Sequence, residues 1–201
     1  MEKGTEMKYT CTVLPLLLLI ASSLRLHAAE GQEPVVIDPT VTSYDSIPQV
    51  QIEQRFRVGR VIDSSSLGEK RRVGTTRVRA EQVPVVLVAE PAAVIENSFA
   101  GLLRKRGLAA DRPDTLNYVL NIVIRDFSLT ETSRFMRQTM DGAISMEVSV
   151  AVGVGYKPIR TFKVQSHYQR TAFDTTRHAE AVARSVLATA MAEVLKSLEK
   201  L

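Results

Sequence analysis

Residues 141–152, DGAISMEVSVAV, alternate strictly: Ile144, Met146, Val148, Val150 and Val152 share one parity, continued by Val154, while Ser145, Glu147 and Ser149 take the other. Side chains of a β-strand point to opposite faces in turn, so this run is a strand with one face buried and one in water. The pattern recurs on both sides. Leu116, Tyr118, Leu120, Ile122 and Ile124 oppose Asn117, Asn121 and Arg125, and Phe162, Val164 and Tyr168 oppose Lys163, Gln165 and His167. Three strands with one wet face each predict an antiparallel sheet covered on one side only. Gly155-Tyr156-Lys157-Pro158 is short enough to close the last two as a hairpin. The polar stretch from Ser128 to Gly142 predicts a longer, mobile link between the first two.

Helical spacing flanks these strands. Pro91 suits a first helical turn, Ile95, Phe99, Leu102 and Leu103 follow at i, i+4, i+7 and i+8, and Gly107 is the stop. The basic triplet Arg104-Lys105-Arg106 lies in the last turn, where it favours the helix dipole. A final helix starts near Thr176 as N-cap and carries Ala179, Val182, Val186, Ala190, Val194 and Leu198 in one stripe, widened by Leu187 and Met191. Earlier in the chain, Ile52, Phe56, Val58 and Ile62 share a parity against Gln51, Glu53, Arg55 and Arg57, which reads as a first strand from Val50. Val83 to Ala89 reads as a second, with Pro84 confining it to an edge or to its first residues. The expected fold is α+β: a two-layer sandwich with a mainly antiparallel sheet and two helices packed on one face, in a β-α-β-β-β-α core.

The amino terminus reads as an address. Lys8 precedes an apolar run from Thr12 to Leu24, shorter than the roughly 20 residues a bilayer core requires but of signal-peptide length, and Ala28 and Ala29 offer a cleavage site. Met7 is an alternative start to Met1 with a more ordinary charged head. Cys11 sits at the front of the run and not after it, where a lipid-modified cysteine belongs, so the expectation is a processed, unacylated protein in the periplasm, with association to the outer membrane left open. Without residues 1–28 no cysteine remains, which excludes disulfides, thiolate nucleophiles and Cys-based metal sites. The whole-chain charge of +4 falls only to +3, unlike the strong basic stripe of a nucleic-acid binder. At 45% hydrophobic, the roughly 170 residues that follow suit one globular domain.

The segments VGRVIDSSSLG (58–68), VIENSFAGLLRKRGL (94–108), DGAISMEVSVAV (141–152), FKVQSHYQRTAF (162–173) and HAEAVARSVLATAMAEVLKSL (178–198) resemble, in order and spacing, the YajG-type envelope lipoproteins of Gram-negative bacteria. The residues themselves read as a signal peptide over 1–28 and, spaced by Pro34, Pro39 and Pro48, an extended N-terminal arm over 29–48, and the resemblance implies a YajG-like α+β domain over 49–201. It also implies an architecture similar to the lipopolysaccharide-assembly lipoprotein and to the auxiliary lipoproteins of lipid-transport ABC systems. The chain departs from that family in lacking its lipobox cysteine and in carrying Ser65 where a basic residue is expected after Asp63. The family lends no activity.

No catalytic constellation accompanies this architecture. After residues 1–28, His167 and His178 are the only imidazoles, too few for a His-rich metal site. Ser64, Ser65 and Ser66 lack a G-x-S-x-G setting, and Asp63 reads as ending its strand by a side-chain turn. Asp141 and Glu147 are placed to face one another near the hairpin, without the burial that shifts a pKa. The expectation is a non-enzyme with no cofactor and no metal. Two binding classes remain open. One is an adaptor that engages another envelope protein through an exposed sheet edge or the wet face. The other binds an anionic envelope glycolipid or peptidoglycan through the basic loop 63–82, with Lys70, Arg71, Arg72, Arg77 and Arg79 as candidate anion-binding residues, although such a run is usually a solvated loop. No nucleic-acid partner and no transmembrane segment in the mature chain are expected.

Overall fold

The computed structural model describes residues 33–65, 70–78, 81–110, 118–134, 137–152, 157–172 and 175–201. Their order is β1 (Val35–Ile37), β2 (Phe56–Asp63), β3 (Arg72–Val78), β4 (Glu81–Leu87), α1 (Pro91–Lys105), β5 (Tyr118–Arg134), β6 (Arg137–Val152), β7 (Pro158–Ala172) and α2 (Thr175–Leu198). The result is an α+β fold with one seven-stranded sheet, ordered β1-β4-β3-β5-β6-β7, and with β2 also paired to β5.

The sheet is mixed: its long ladders are antiparallel, as expected, and shorter parallel ones join them. β3 with β4, β5 with β6, and β6 with β7 run antiparallel, but β1 with β4, β2 with β5, and β3 with β5 run parallel. A parallel pair needs a long crossover. The chain between β2 and β5, which contains α1, supplies one.

The three clean strands form as their alternation predicts, and they extend further. Residues 128–134 and 137–142, expected as a mobile link, continue β5 and β6 as a paired ladder from Ser128↔Ala143 to Arg134↔Arg137. A β-bulge between Ile124 and Asp126 explains the difference. It inserts one residue, so the buried parity passes from Leu120, Ile122 and Ile124 to Phe127 and Leu129. The expected hairpin at 155–158 falls largely outside the described residues, as do Leu116 and Val154.

A second bulge corrects the first strand. Val58 pairs with Leu120 and Val61 with Ile122, so Gly59 and Arg60 together oppose Asn121, whose Oδ1 accepts the Arg60 N–H at 3.0 Å. Val61 thereby joins Val58 against the core, while Ile62 moves to the parity opposite. The strand also begins at Phe56, not at Val50.

α1 starts at Pro91 and closes on Gly107, whose φ of +64° is costly for any residue with a Cβ. Its Val94, Ile95, Phe99, Leu102 and Leu103 share one core with the β5 and β6 side chains and with Ala179, Val182, Val186, Leu187, Ala190, Met191, Val194 and Leu198 of α2. α2 begins at Thr175, one residue before the expected cap. Gly142 brings α2 close to the sheet: a Cβ there would lie 2.8 Å from Val182 Cγ1.

The stretch read as an extended arm is packed. Residues Pro34–Leu201 form one compact unit, and Ile37, Val41, Ile47 and Ile52 are buried in its core. After β1, the arm is bonded to both helices. Ser98 Oγ of α1 accepts the Val41 N–H at 3.1 Å while donating to the Val94 carbonyl at 2.8 Å. Arg184 of α2 donates to the Asp38 carbonyl at 3.1 Å. Arg106, just beyond α1, donates from Nη2 to the Tyr44 carbonyl at 2.8 Å and also to that of Ile47. Three backbone carbonyls of a segment without regular structure thus find charged donors, and for the part-buried bonds to Tyr44 and Ile47 this meets the requirement that backbone polar groups away from water be paired.

Candidate functional site

The basic segment read as a loop contains a strand. Arg72–Val78 is β3, paired on one side with β4 and on the other with β5. Gly74 permits the second contact, because a Cβ there would stand 1.9 Å from the Leu129 carbonyl oxygen. Beyond Thr75↔Thr130 the ladder is extended by a side chain: Glu131 Oε2 accepts from Thr76 Oγ1 at 2.7 Å and from the Arg77 N–H at 2.6 Å.

This geometry sets the candidate cations along two elements. Lys70 Nζ lies 3.9 Å from Glu90, and Arg71 donates to the Val88 carbonyl at 3.4 Å, so both lie toward the end of β4 and the start of α1. Arg72 and Arg77 sit near opposite ends of β3, opposite Val86 and Gln82. Arg79 lies outside the described residues.

The carboxylates do not form a pair. Asp141 and Glu147 are on the same strand, six residues and roughly 20 Å apart, and each has a different neighbour: His167 Nε2 at 3.6 Å for Asp141 and Arg125 Nη2 at 3.1 Å for Glu147. Asp63 does end β2 by a side-chain turn, its Oδ1 accepting the Ser65 N–H at 2.9 Å. Ser64 Oγ donates to the Ile124 carbonyl at 2.9 Å. Among the described residues no group of three or more His, Cys, Asp or Glu side chains could hold a metal ion.

What remains is the sheet's own boundary. β1 is an edge of only three residues. The first residue of β2 is bridged on its other side by Ala109, with Phe56 N donating to Leu108 O at 2.8 Å and Ala110 N to Phe56 O at 2.9 Å. Further along β2, the bulge at Gly59–Arg60 leaves a shallow groove of about 620 Å³ between Arg57, Ile62, Asn121 and Val123. The long boundary is β7. Its fifteen residues pair with β6 from Ala172 back to Pro158, and among the described residues no strand pairs with its other side. Val164 and Ser166 are buried beneath it, whereas Lys163, Gln165, His167, Gln169 and Thr171 face water. Ile159 and Tyr168 are among the exposed large hydrophobic residues, at 57% and 37% of their surface. The alternation of 162–168 makes this strand legible in the sequence; its position at the edge depends on the pairing order.

No family model matches the chain, and no curated protein matches it. A Xanthomonas campestris protein of the DUF330 family, solved by crystallography, superposes with a TM-score of 0.55 at 15% identity, over 81% of this chain and 92% of its own. At that identity the likeness is one of fold. A minor lipoprotein from Acinetobacter baumannii is a looser likeness, with a TM-score of 0.43 at 8% identity over 75% of this chain and 94% of its own. Among the described residues no helix is long and apolar enough to cross a membrane.

Proposed function

We propose that this chain is a non-catalytic, YajG-like protein of the Gram-negative cell envelope, exported to the periplasm, that acts as an adaptor by receiving an extended segment of another envelope protein along β7. The observation that carries the reading is the fifteen-residue edge, which among the described residues is paired on one side only. Such an edge presents a row of backbone donors and acceptors, and strand addition satisfies them. The signal-like run from Thr12 to Leu24 supports export, and the misplaced Cys11 supports release without a lipid. The anionic-ligand reading draws less support, because Lys70 and Arg71 already face Glu90 and the Val88 carbonyl while Arg72 and Arg77 lie far apart on one strand.

Site-specific photocrosslinking in intact envelopes tests the proposal. A crosslinker at Gln165 should give one discrete protein adduct that persists in high salt. The triple variant Lys70→Glu, Arg71→Glu, Arg72→Glu should retain it. Adducts to glycolipid or peptidoglycan from positions 70–72, lost in high salt and in the triple variant, with nothing at Gln165, would replace the adaptor reading with the anionic-ligand one. Intact-mass measurement of the fractionated protein tests the address; a full-length or lipid-modified species in the membrane fraction would refute export and release.

A further inference from the structure

Resting on the strand-addition reading, we infer that the segment β7 receives is an acidic strand of a different protein and not a second copy of this chain. Residues 158–172 carry Arg160, Lys163, His167 and Arg170 and no aspartate or glutamate. Two of the neighbouring acids on β6 are engaged: Glu147, opposite Lys163, is bonded to Arg125 at 3.1 Å, and Asp141 stands 3.6 Å from His167. Arg160 donates to the carbonyl of Lys200 at 2.9 Å, a neutral partner that leaves its charge in place.

A second β7 brings only more of the same sign. Antiparallel pairing centred on Gln165 sets Arg160 against Arg170 and offers Lys163 no acid, and like charges directly opposite are destabilising. No other register supplies an acid. Charged edges of this kind are how sheets resist adding their own kind. The same charges select an incoming strand whose carboxylates recur at alternate positions. On the wet face such carboxylates stand opposite Lys163 and reach on toward Gln165 and His167. Ile159 and Tyr168 give it apolar footholds near both ends.

Three nine-residue peptides test this on the full chain: alternating Thr-Glu, Thr-Gln and Thr-Lys, titrated by fluorescence anisotropy with amide hydrogen exchange to locate binding. The Thr-Glu peptide should protect β7 amides and bind about tenfold more tightly than Thr-Gln at low salt, the sum of a few exposed ion pairs. That preference should shrink toward unity in 1 M salt and reverse in the Lys163→Glu, His167→Glu double variant. Lys163→Gln alone should halve the preference or more if the double variant melts early. Equal protection of β7 by all three peptides overturns the acidic preference and leaves strand addition standing. Protection of β7 by none overturns both. A dimer in sedimentation at low salt whose β7 amides are protected also overturns the inference.

Discussion

Arg106 donates a hydrogen bond from Nη2 to the carbonyl oxygen of Tyr44 at 2.8 Å, across 62 residues of chain. The same nitrogen reaches the carbonyl of Ile47, so one guanidinium holds both ends of the turn that Ile47 N closes on Tyr44 O at 3.1 Å. A charge that suits a helix C-terminus on electrostatic grounds is therefore also the fastening of the arm. Arg106→Ala leaves the Ile47 carbonyl without this donor and the Tyr44 carbonyl with only the Ile47 N–H, and should cost about 1–3 kcal/mol. Denaturant melts read the loss, and hydrogen exchange should show it concentrated in residues 41–52. Uniform loss of protection across the whole chain would contradict a local fastening.

Gly101 and Tyr44 are a matched pair. A Cβ on Gly101 would stand 2.0 Å from the Tyr44 hydroxyl oxygen, with the next ring atom at 3.1 Å. Gly101→Ala should therefore destabilise the protein by about 1–3 kcal/mol, and adding Tyr44→Phe should recover most of it. Additive losses in the double variant, measured by thermal melting, would show that the clash is not with the hydroxyl.

Alkaline pH should loosen the same contact. Burial raises the Tyr44 phenol above its ordinary value of 10.0, opposed in smaller part by the charge of Arg104. A group whose pKa is raised by folding stabilises fully below its unfolded value and loses that contribution as pH climbs through the folded one. Stability should thus fall as pH rises beyond 10, and Tyr44→Phe should flatten that part of the profile. Parallel profiles for the two proteins, in melts across the range, would refute the assignment.

Gly74 decides whether β3 reaches β5. Gly74→Ala places a methyl group against the Leu129 carbonyl, a backbone atom that cannot swing aside, and should cost about 3 kcal/mol or more. Loss of amide protection in 72–78, with β6 and β7 unchanged, is the expected exchange signature.

Val150 and Ser149 test the two faces of β6. Val150 is fully buried between Leu120 and Arg160, and Ser149 lies on the opposite face. Val150→Asp should cost more than about 3 kcal/mol by burying an unpaired carboxylate, and Ser149→Asp less than about 1 kcal/mol. Equal melting temperatures would mean that the faces are misassigned.

Alternation and helical spacing made β5, β6, β7, α1 and α2 readable, because each buries a periodic row of side chains and period is a local property. The reading stopped at Arg125 and misplaced Ile62, and both failures have one cause. A bulge shifts the phase by one residue, and the signal for it is a partner strand, not a residue type. The candidate cations were legible as residues but not as a strand: Val73, Thr76 and Val78 give β3 too little apolar pattern among arginines to stand out.

Composition and periodicity by themselves determined the α+β class, the wet face of the long strands, the turn of Asp63 and the stop at Gly107, since each follows from the stereochemistry of neighbouring residues. Tertiary structure alone decided that β2 and β3 lie parallel to β5, that Val41 and Ile47 belong to the core, and that β7 is the long edge among the described strands. Those outcomes depend on pairing order and on contacts such as Val41 with Ser98 and Tyr44 with Arg106, made across more than fifty residues of chain. A short apolar residue in a proline-broken segment carries no period, and only the two helices bonded to the arm make its burial possible.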